Sequence, residues 1–302
     1  MLTVKAYAKI NIILEVLRKR NDGYHDIASI IQTINIYDVL SFVKARDIEL
    51  ICNNPDLNSP ENLVVKAARL LQETTHCKQG ATIHLQKKIP VAAGLGGGSS
   101  DAAVTLLALN ELWGLHFPVS HLHNMASHLG FDVPFFLYGG TALVEGRGDW
   151  VTPLPSLSPL LLILLHPDIV ITNKTQELYN RLNPRQFTSG NLVHLATEQL
   201  RHEKSSSSIP CFNVFETIAS QVFPSLEEYR HKLMSVGATA VYLSGSGPTM
   251  FSIMANQDNA TKMVEELQQS GLNAYLTRTV EKSELETYSN KLVRDEEEIN
   301  YA

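Results

Sequence analysis

Residues 90–100 constrain the fold more than any other segment of this chain. They read PVAAGLGGGSS, which places four glycines directly before a helical pattern marked by Val104, Leu107, Ala108 and Leu112. Because glycine has no Cβ, the backbone N–H groups of such a loop can turn towards an anion. The N-terminus of the following helix adds about half a positive charge. The segment predicts a phosphate-binding loop, and the alternative is a flexible loop or tight turn.

The type of phosphate loop is narrowed by residues that the sequence lacks. A Walker A loop ends in Gly-Lys-Ser or Gly-Lys-Thr, whereas Gly98 is followed by Ser99 and Ser100. A dinucleotide-binding loop lies on an early strand and keeps a third glycine where this chain has Ser99. The His-Arg-Asp and Asp-Phe-Gly motifs of protein kinases do not occur. We therefore expect another class of phosphate-binding fold, in which a Cβ at Gly96 would project into the phosphate space.

Strand and helix patterns alternate through the first half of the chain. Residues 3–13 alternate with a period of two, which predicts a strand on which Lys9 and Asn11 share one face. Residues 27–43 predict a second strand, after a turn centred on Asn-Asp-Gly.

Two prolines mark the local structure further along. Residues 59–62 open a helix, with Pro60 suited to its first turn. Pro134 favours an extended backbone at Val133. A third helix pattern covers residues 121–129.

A cluster of prolines separates the two halves of the chain. Pro153, Pro155 and Pro159 precede an apolar strand at residues 160–165, so we expect a domain boundary near residue 155. The later half reads as strands alternating with helices, including strands at 238–243, 249–254 and 273–280 and a helix at 258–270. This order predicts an α+β fold with domains at 1–155 and 156–285, followed by a charged tail at 286–302.

Charge and cysteine content argue against several classes of protein. The formal net charge of −6 gives no basic field for nucleic acid or anionic lipid. No signal-peptide pattern occurs and no apolar run could span a bilayer. Cys52, Cys77 and Cys211 lie far apart without metal-ligand spacing. We expect a cytoplasmic protein without nucleic-acid or membrane partners, and the sequence does not indicate an oligomeric state.

Three short motifs match those of a known family, in order along the chain. They are KAYAKIN at 5–11, PVAAGLGGGSSDAA at 90–103 and SGSGPT at 244–249. With them the chain resembles the GHMP kinases. Three further blocks resemble one subgroup, whose substrate is a cytidine-diphosphate-linked methylerythritol: DGYHD at 22–26, ENLV at 61–64 and GFDVPFFL at 130–137. Phe131 departs from the subgroup, in which a small residue commonly precedes the aspartate.

The resemblance implies a fold, a reaction and a cofactor. The fold would have an N-terminal lobe like domain 2 of ribosomal protein S5 and a C-terminal ferredoxin-like lobe, with the active site between them. The reaction would transfer the γ-phosphoryl group of ATP to the 2-hydroxyl of the cytidine-linked alcohol, in the non-mevalonate route to isoprenoid precursors. Mg²⁺ would arrive with ATP, and Ser100 is a candidate ligand or, equally, the cap of the helix.

The resemblance also implies roles for individual residues. Lys9 and Asp132 match the catalytic pair. The predicted ATP-binding residues are Asn62, Pro90, Val91, Ala92, Ala93, Gly94, Leu95, Gly96, Gly97, Gly98, Ser99 and Ser100. The predicted residues for the second substrate are Asn11, Tyr24, His25, Thr172, Ser244, Gly245, Ser246 and Gly247, and the N–H groups of the last four would lie over the reacting phosphate.

Each of these residues also has a plainer interpretation. An aspartate in a loop is usually a cap or turn residue, and a lysine on a strand is usually solvated. Residues 244–248 could be only a tight hairpin, and an isolated histidine such as His25 is more often structural than a ligand. The alternative functions are another GHMP kinase, of the homoserine or mevalonate type, and a non-catalytic ATP-binding protein on the same fold.

Overall fold

The computed structural model describes residues 1–169, 171–202 and 209–285. Its strands are β1 (Leu2–Lys19), β2 (His25–Ala45), β3 (Ile48–Cys52), β4 (Gly80–Gln86), β5 (Thr141–Gly146), β6 (Trp150–Pro153), β7 (Leu161–His166), β8 (Phe212–Asn213), β9 (Tyr242–Leu243), β10 (Met250–Met254) and β11 (Asn273–Arg278). Its helices are α1 (Leu63–Thr75), α2 (Gly97–Leu112), α3 (Val119–Leu129), α4 (Val133–Tyr138), α5 (Lys174–Arg181), α6 (Asn191–His202), α7 (Ala219–Val222), α8 (Leu226–Ser235) and α9 (Gln257–Gln269).

The first sheet is built around the long antiparallel pair β1 and β2. Its order is β3-β4-β2-β1-β8, with β5 paired to β2 and β6 paired to β5. The alternating pattern at residues 3–13 therefore correctly predicts a strand. Lys9 lies opposite Thr33, and Asn11 lies opposite Ile31. Both polar side chains are buried, so this face of β1 belongs to the interior rather than to a solvated surface.

Helices α1 to α4 pack against one another and against the first sheet. Val64, Ala67, Ala68 and Leu71 recur on one face of α1 and pack into the same core as α2 and β4. The helix begins at Leu63 because the Asn62 side chain accepts from the Val64 N–H at 2.9 Å. The expectation that Pro60 lies in its first turn is wrong, since Pro60 precedes this cap.

The region after Asp132 differs from the expected extended backbone. Val133 is the first residue of α4, and Pro134 occupies the second position, where a missing N–H costs nothing. Val133 and Phe135 are fully buried. Their burial outweighs the steric preference that Pro134 imposes on the residue before it.

The apolar strand predicted at residues 160–165 is β7, a central strand of the second sheet. The order of this sheet is β11-β7-β10-β9, with all neighbours antiparallel. Leu162, Ile163, Leu164 and Leu165 are fully buried, as expected for a central strand covered on both faces. The strand expected at 238–243 is shorter, since only Tyr242–Leu243 pair with β10.

The two sheets correspond to different parts of the chain, with one exception. Strands β1 to β6 of the first sheet precede residue 155, and the strands of the second sheet all follow it. However, β8 comes from the later half and pairs in parallel with Ile13 and Leu14 of β1. The division at residue 155 stays a prediction, and the predicted tail at 286–302 lies outside the described residues. Within the described part of the chain, no helix is both long enough and apolar enough to cross a membrane.

Candidate active site

The glycine loop lies between β4 and α2 and borders a cavity of about 440 Å³. Gly94 and Gly96 have φ angles of 82° and 72°, which glycine adopts without strain. Because α2 begins at Gly97, the N-terminus of this long helix is directed at the loop. The predicted ATP-binding residues that line this cavity are Asn62, Pro90, Val91, Ala92, Ala93, Gly94, Gly96, Gly97, Gly98 and Ser99.

Two residues of the predicted ATP-binding set lie elsewhere. Leu95 is 1% exposed and packs in a hydrophobic core, while its carbonyl accepts from the Lys9 N–H at 2.9 Å. Ser100 borders a separate, mainly apolar cavity of about 540 Å³ that also contains Val104 and Phe136. The candidate metal ligand Ser100 is thus placed away from the cavity that Ser99 lines.

Gly96 does not leave room for phosphate in the way the sequence suggests. A Cβ at Gly96 would lie 2.6 Å from Phe136 Cζ and 3.1 Å from Lys9 Cγ, so it would collide with protein. At Gly98 the nearest atom to a Cβ would be Leu63 Cδ1 at 3.8 Å. The expectation for Gly96 is therefore wrong, and Gly98 is the glycine whose Cβ would enter open space beside the loop.

Lys9 and Asp132 come together next to the glycine loop. Lys9 Nζ lies 3.6 Å from Asp132 Oδ2. The Lys9 ammonium also donates to Asn11 Oδ1 at 2.7 Å, and Asn11 Nδ2 donates to Ser29 Oγ at 2.8 Å. Asn11 on β1 therefore fixes the position of the Lys9 ammonium, and Asp132 contacts this ammonium from the N-terminal end of α4.

The turn at residues 244–247 packs directly onto the glycine loop. Ser244 Oγ donates to the Gly94 carbonyl at 3.1 Å, and a Cβ at Gly245 would lie 3.0 Å from Lys9 Nζ. The Ser244 N–H donates to Thr249 and the Gly247 N–H donates to Ser244. Two of the four N–H groups expected over the reacting phosphate are therefore already bonded within the protein, which leaves those of Gly245 and Ser246 as candidates for a ligand.

The cavity beside the glycine loop is called the first cavity below. A larger cavity of about 980 Å³, called the second cavity, shares the lining residue Ala92 with it. Tyr24, His25 and Thr172 line this second cavity, as do several residues that the sequence did not single out. Tyr24 is 49% exposed and packs edge-on against Phe131, with ring centroids 5.2 Å apart. The cavity thus has an aromatic wall on the side of the turn at residues 20–24.

His25 stands deeper in the same wall than Tyr24. Its ring stacks on Tyr179 of α5, with centroids 5.0 Å apart and an interplanar angle of 22°. Burial lowers the pKa of His25, with the Lys19 charge adding to the effect. The imidazole is therefore neutral near pH 7 and offers one donor and one acceptor.

Lys174 is the residue of the site that sequence reasoning missed most clearly. It is the first residue of α5 and is buried, and its ammonium donates to the Gly247 carbonyl. The pKa of Lys174 is lowered to about 7, mainly by burial and also by the Lys9 charge, while Asp132 opposes the shift. Its local signal in the sequence is its position two residues after Thr172.

Arg147 and Phe131 are further residues of the second cavity that were not assigned to it. The Arg147 guanidinium lies 4.8 Å from the Phe131 ring centroid and 5.8 Å from that of Tyr24. Arg147 Nη2 also donates to Asp149 Oδ2 at 2.8 Å. The departure at Phe131 therefore supplies an aromatic contact to the cavity wall.

A buried charged network supports the first cavity. Lys87 Nζ donates to Asp38 Oδ2 at 2.5 Å and to Asp101 Oδ2 at 2.8 Å. Burial raises the pKa of the Asp101 carboxyl to about 7, and the neighbouring Lys87 opposes that shift. Asp101 Oδ1 has no hydrogen-bond partner among the described residues, although it is buried.

Two protein-family models match this chain. The GHMP kinases N terminal domain matches residues 62–140, and the GHMP kinases C terminal domain matches residues 197–273. The matched regions contain the glycine loop and the 244–247 turn that packs on it.

Curated relatives match over nearly the whole length. A 4-diphosphocytidyl-2-C-methyl-D-erythritol kinase of Dehalococcoides mccartyi is 43% identical, over 93% of this chain and 99% of its own. A protein of the same name from Thermodesulfovibrio yellowstonii is 40% identical, over 88% of this chain and 94% of its own.

Solved structures share the fold. A crystal structure of 4-(cytidine 5'-diphospho)-2C-methyl-D-erythritol kinase aligns with a TM-score of 0.78 and 33% identity, over 92% of this chain and 99% of the other. A homoserine kinase from Cytophaga hutchinsonii aligns with a TM-score of 0.65 and 20% identity, over 93% of this chain and 95% of the other. The second similarity shows the fold alone.

Proposed function

This chain belongs to the GHMP kinase family, and we propose that it phosphorylates the 2-hydroxyl of 4-diphosphocytidyl-2-C-methyl-D-erythritol with ATP. The products are the 2-phosphate and ADP, and the reaction belongs to the non-mevalonate route to isoprenoid precursors. We place this activity in the cytoplasm. The proposal agrees with the name of the relatives that match at 40–43% identity over most of the chain.

The observation that carries the proposal is the position of the Lys9–Asp132 pair. Asp132 follows Phe131 of the second cavity, and Lys9 adjoins Gly96 of the first. An alcohol in one cavity and a nucleotide in the other would meet at this pair. The side chain of Asp132 is 44% exposed, so a ligand can reach it, whereas that of Lys9 is only 5% exposed.

The pair can carry out the two tasks that this phosphoryl transfer requires. Asp132 accepts the proton of the 2-hydroxyl as its oxygen attacks the γ-phosphorus. The bond from this phosphorus to the β,γ-bridging oxygen breaks, and ADP leaves with those electrons. Lys9 stabilises the developing charge on the attacking oxygen and the γ-phosphoryl group, and its contact with Asn11 fixes its direction.

The first cavity suits the polyphosphate of ATP. Backbone N–H groups of the glycine loop and of the first turn of α2 bind phosphate oxygens, and the helix N-terminus favours their negative charge. Asn62 caps α1 at the opposite side of the cavity, where the adenine would lie. The turn at 244–247 packs on the glycine loop through the hydrogen bond from Ser244 to Gly94.

The second cavity suits the cytidine end of the alcohol. Tyr24 offers an exposed ring face on which a base can stack, and neutral His25 can exchange hydrogen bonds with a cytosine edge. Thr172 adds a hydroxyl to the same wall. The second cavity would thus recognise the cytidine base at a distance from the reacting atoms.

Mg²⁺ would accompany ATP and neutralise part of the phosphate charge. The donor chemistry fits, because Asp101 Oδ1 is a buried carboxylate oxygen without a hydrogen-bond partner in the described structure, and Asp101 and Ser99 both border the first cavity. Within the described residues, no cluster of three or more His, Cys, Asp or Glu side chains could hold a metal alone. Asp101 and Ser99 would therefore hold the ion together with phosphate and water.

The experiment that tests the function is ADP release in a coupled assay across a panel of alcohols. We expect turnover with 4-diphosphocytidyl-2-C-methyl-D-erythritol and none comparable with homoserine or mevalonate. Preferred turnover of either of those two would assign a sibling activity. ATP binding without turnover of any alcohol would favour a non-catalytic binding protein.

A further inference from the structure

Lys174 lies in the wall of the second cavity, and the hydrogen-bond partners of its side chain among the described residues are all uncharged. Its Nζ donates to the carbonyl oxygens of Gly247 and Ser246 and to the Ser246 hydroxyl, the latter two at 3.3 and 3.2 Å. All of these acceptors are uncharged. Lys174 is only 8% exposed, so water does little to stabilise its positive charge.

The charged and titratable groups around Lys174 come from several elements. Lys9 on β1 disfavours its charge, and Asp132 before α4 favours it. Burial lowers the pKa of His166 on β7, and the Lys174 charge lowers it as well. The imidazole is therefore neutral near pH 7. Tyr179 on α5 is buried and un-ionised. Lys9, Lys174 and Asp132 thus interact with one another before any ligand arrives, and the cavity lining also includes the carboxylate of Asp22, which pairs with Arg20.

Lys174 is also one of the lining residues that interact with the catalytic pair. It shares the wall with Tyr24 and His25 at the aromatic end, and it interacts electrostatically with both members of the catalytic pair. A nucleoside-diphosphate-linked alcohol has its anionic groups between the base and the reacting hydroxyl. Arg147 is the other cation of the lining, and it already donates to Asp149.

We propose that Lys174 binds the diphosphate of the alcohol substrate, and so makes this cavity specific for nucleoside-diphosphate-linked alcohols over uncharged ones. The inference rests on the function proposed above. A diphosphate beside Lys174 would supply the counter-charge that its present acceptors lack. It would also hold the substrate next to the 244–247 turn, to which Lys174 is already bonded.

The test compares two probes, cytidine and cytidine 5′-diphosphate, by isothermal titration calorimetry. The first cavity is saturated with a non-hydrolysable ATP analogue, so that both probes report on the second. The full chain is compared with Lys174→Met, which removes the charge, Lys174→Gln, which keeps an N–H donor, and Lys174→Arg, which keeps the charge. Lys262→Met, at an exposed position on α9, is the matched control.

We expect the full chain and Lys262→Met to prefer cytidine 5′-diphosphate over cytidine. Lys174→Met and Lys174→Gln should lose roughly 10- to 100-fold of affinity for the diphosphate and keep their affinity for cytidine. Lys174→Arg should retain most of the preference. Retained cytidine binding shows that the variants are folded.

Three outcomes would overturn the inference while leaving the function standing. One is an equal loss of both probes, which indicates a structural role. Another is an unchanged preference for the diphosphate in Lys174→Gln. The third is a preference that survives in Lys174→Met and Lys174→Gln but disappears in Arg147→Met. A full chain that binds neither probe, while turning over a different alcohol, would instead overturn the proposed substrate.

Discussion

Lys9 Nζ lies 3.6 Å from Asp132 Oδ2, yet the two side chains have very different access to solvent, at 5% and 44% exposed. Lys9 belongs to the buried face of β1 and is bonded to Asn11. Asp132 precedes α4 and makes no cap hydrogen bond to that helix. A fixed cation beside an accessible carboxylate suits a reaction in which the carboxylate must meet an incoming alcohol.

The first prediction concerns this carboxylate. Asp132→Asn should keep the local shape and the affinity for ATP, and it should lower kcat by roughly 10²- to 10⁴-fold because the amide cannot accept the proton. Lys9→Ala should lower kcat similarly. Steady-state kinetics and nucleotide titration check both, with Asp47→Asn in an exposed loop as the control. Near-normal turnover by folded Asp132→Asn would remove Asp132 from the mechanism.

The second prediction separates two glycines of the phosphate loop. Gly98→Ala adds a methyl group to the open side of α2, so ATP affinity should fall while the melting temperature stays the same or rises. Gly96→Ala should instead destabilise the fold by about 1–3 kcal/mol, because of its φ of 72° and the contact with Phe136. Thermal unfolding and nucleotide titration distinguish them. Unchanged ATP binding by Gly98→Ala would place the phosphates elsewhere.

The elements of the fold that the sequence predicted well depend on local patterns. The alternation at 3–13 predicts β1 and the helical pattern after Gly98 predicts α2, although both faces of β1 and nearly all of α2 are buried in the structure. The errors arise where tertiary packing competes with a local preference. Burial of Val133 and Phe135 makes a helix where Pro134 alone favours extension.

The residues of the site also differ in whether local sequence could reveal them. Lys9, Asp132 and the glycine loop each lie within a short sequence motif, so a resemblance could find them. Lys174 could not be found in this way, because its contact with Gly247 joins residues that are far apart in sequence. The direction of the Gly96 Cβ likewise depends on Phe136, which only the folded chain brings alongside.

The third prediction concerns recognition by His25. His25→Phe keeps a ring to stack on Tyr179 but removes the hydrogen bonds, so the KM for the cytidine-linked alcohol should rise about tenfold for each 1.4 kcal/mol lost. The affinity for ATP should not change. His25→Ala should show at least the same rise in KM. A variant with weaker ATP binding and an unaltered KM for the alcohol would contradict the placement of the base.

The last prediction concerns the pH dependence of stability. The folded-state pKa of Lys174 is lowered to about 7, below its value of about 10.4 in the unfolded chain. Unfolding therefore takes up a proton between these pH values, and the cost of burying the charge is complete below about pH 7 and declines as the pH rises towards 10. Lys174→Met has no such cost. Its stability relative to the unmodified protein should thus be greatest near pH 6.5 and fall with rising pH, by at most about 1.4 kcal/mol per pH unit. Urea unfolding of both proteins at about pH 6.5 and 9 measures this difference. A constant difference across that range would mean that Lys174 keeps its proton in the folded protein.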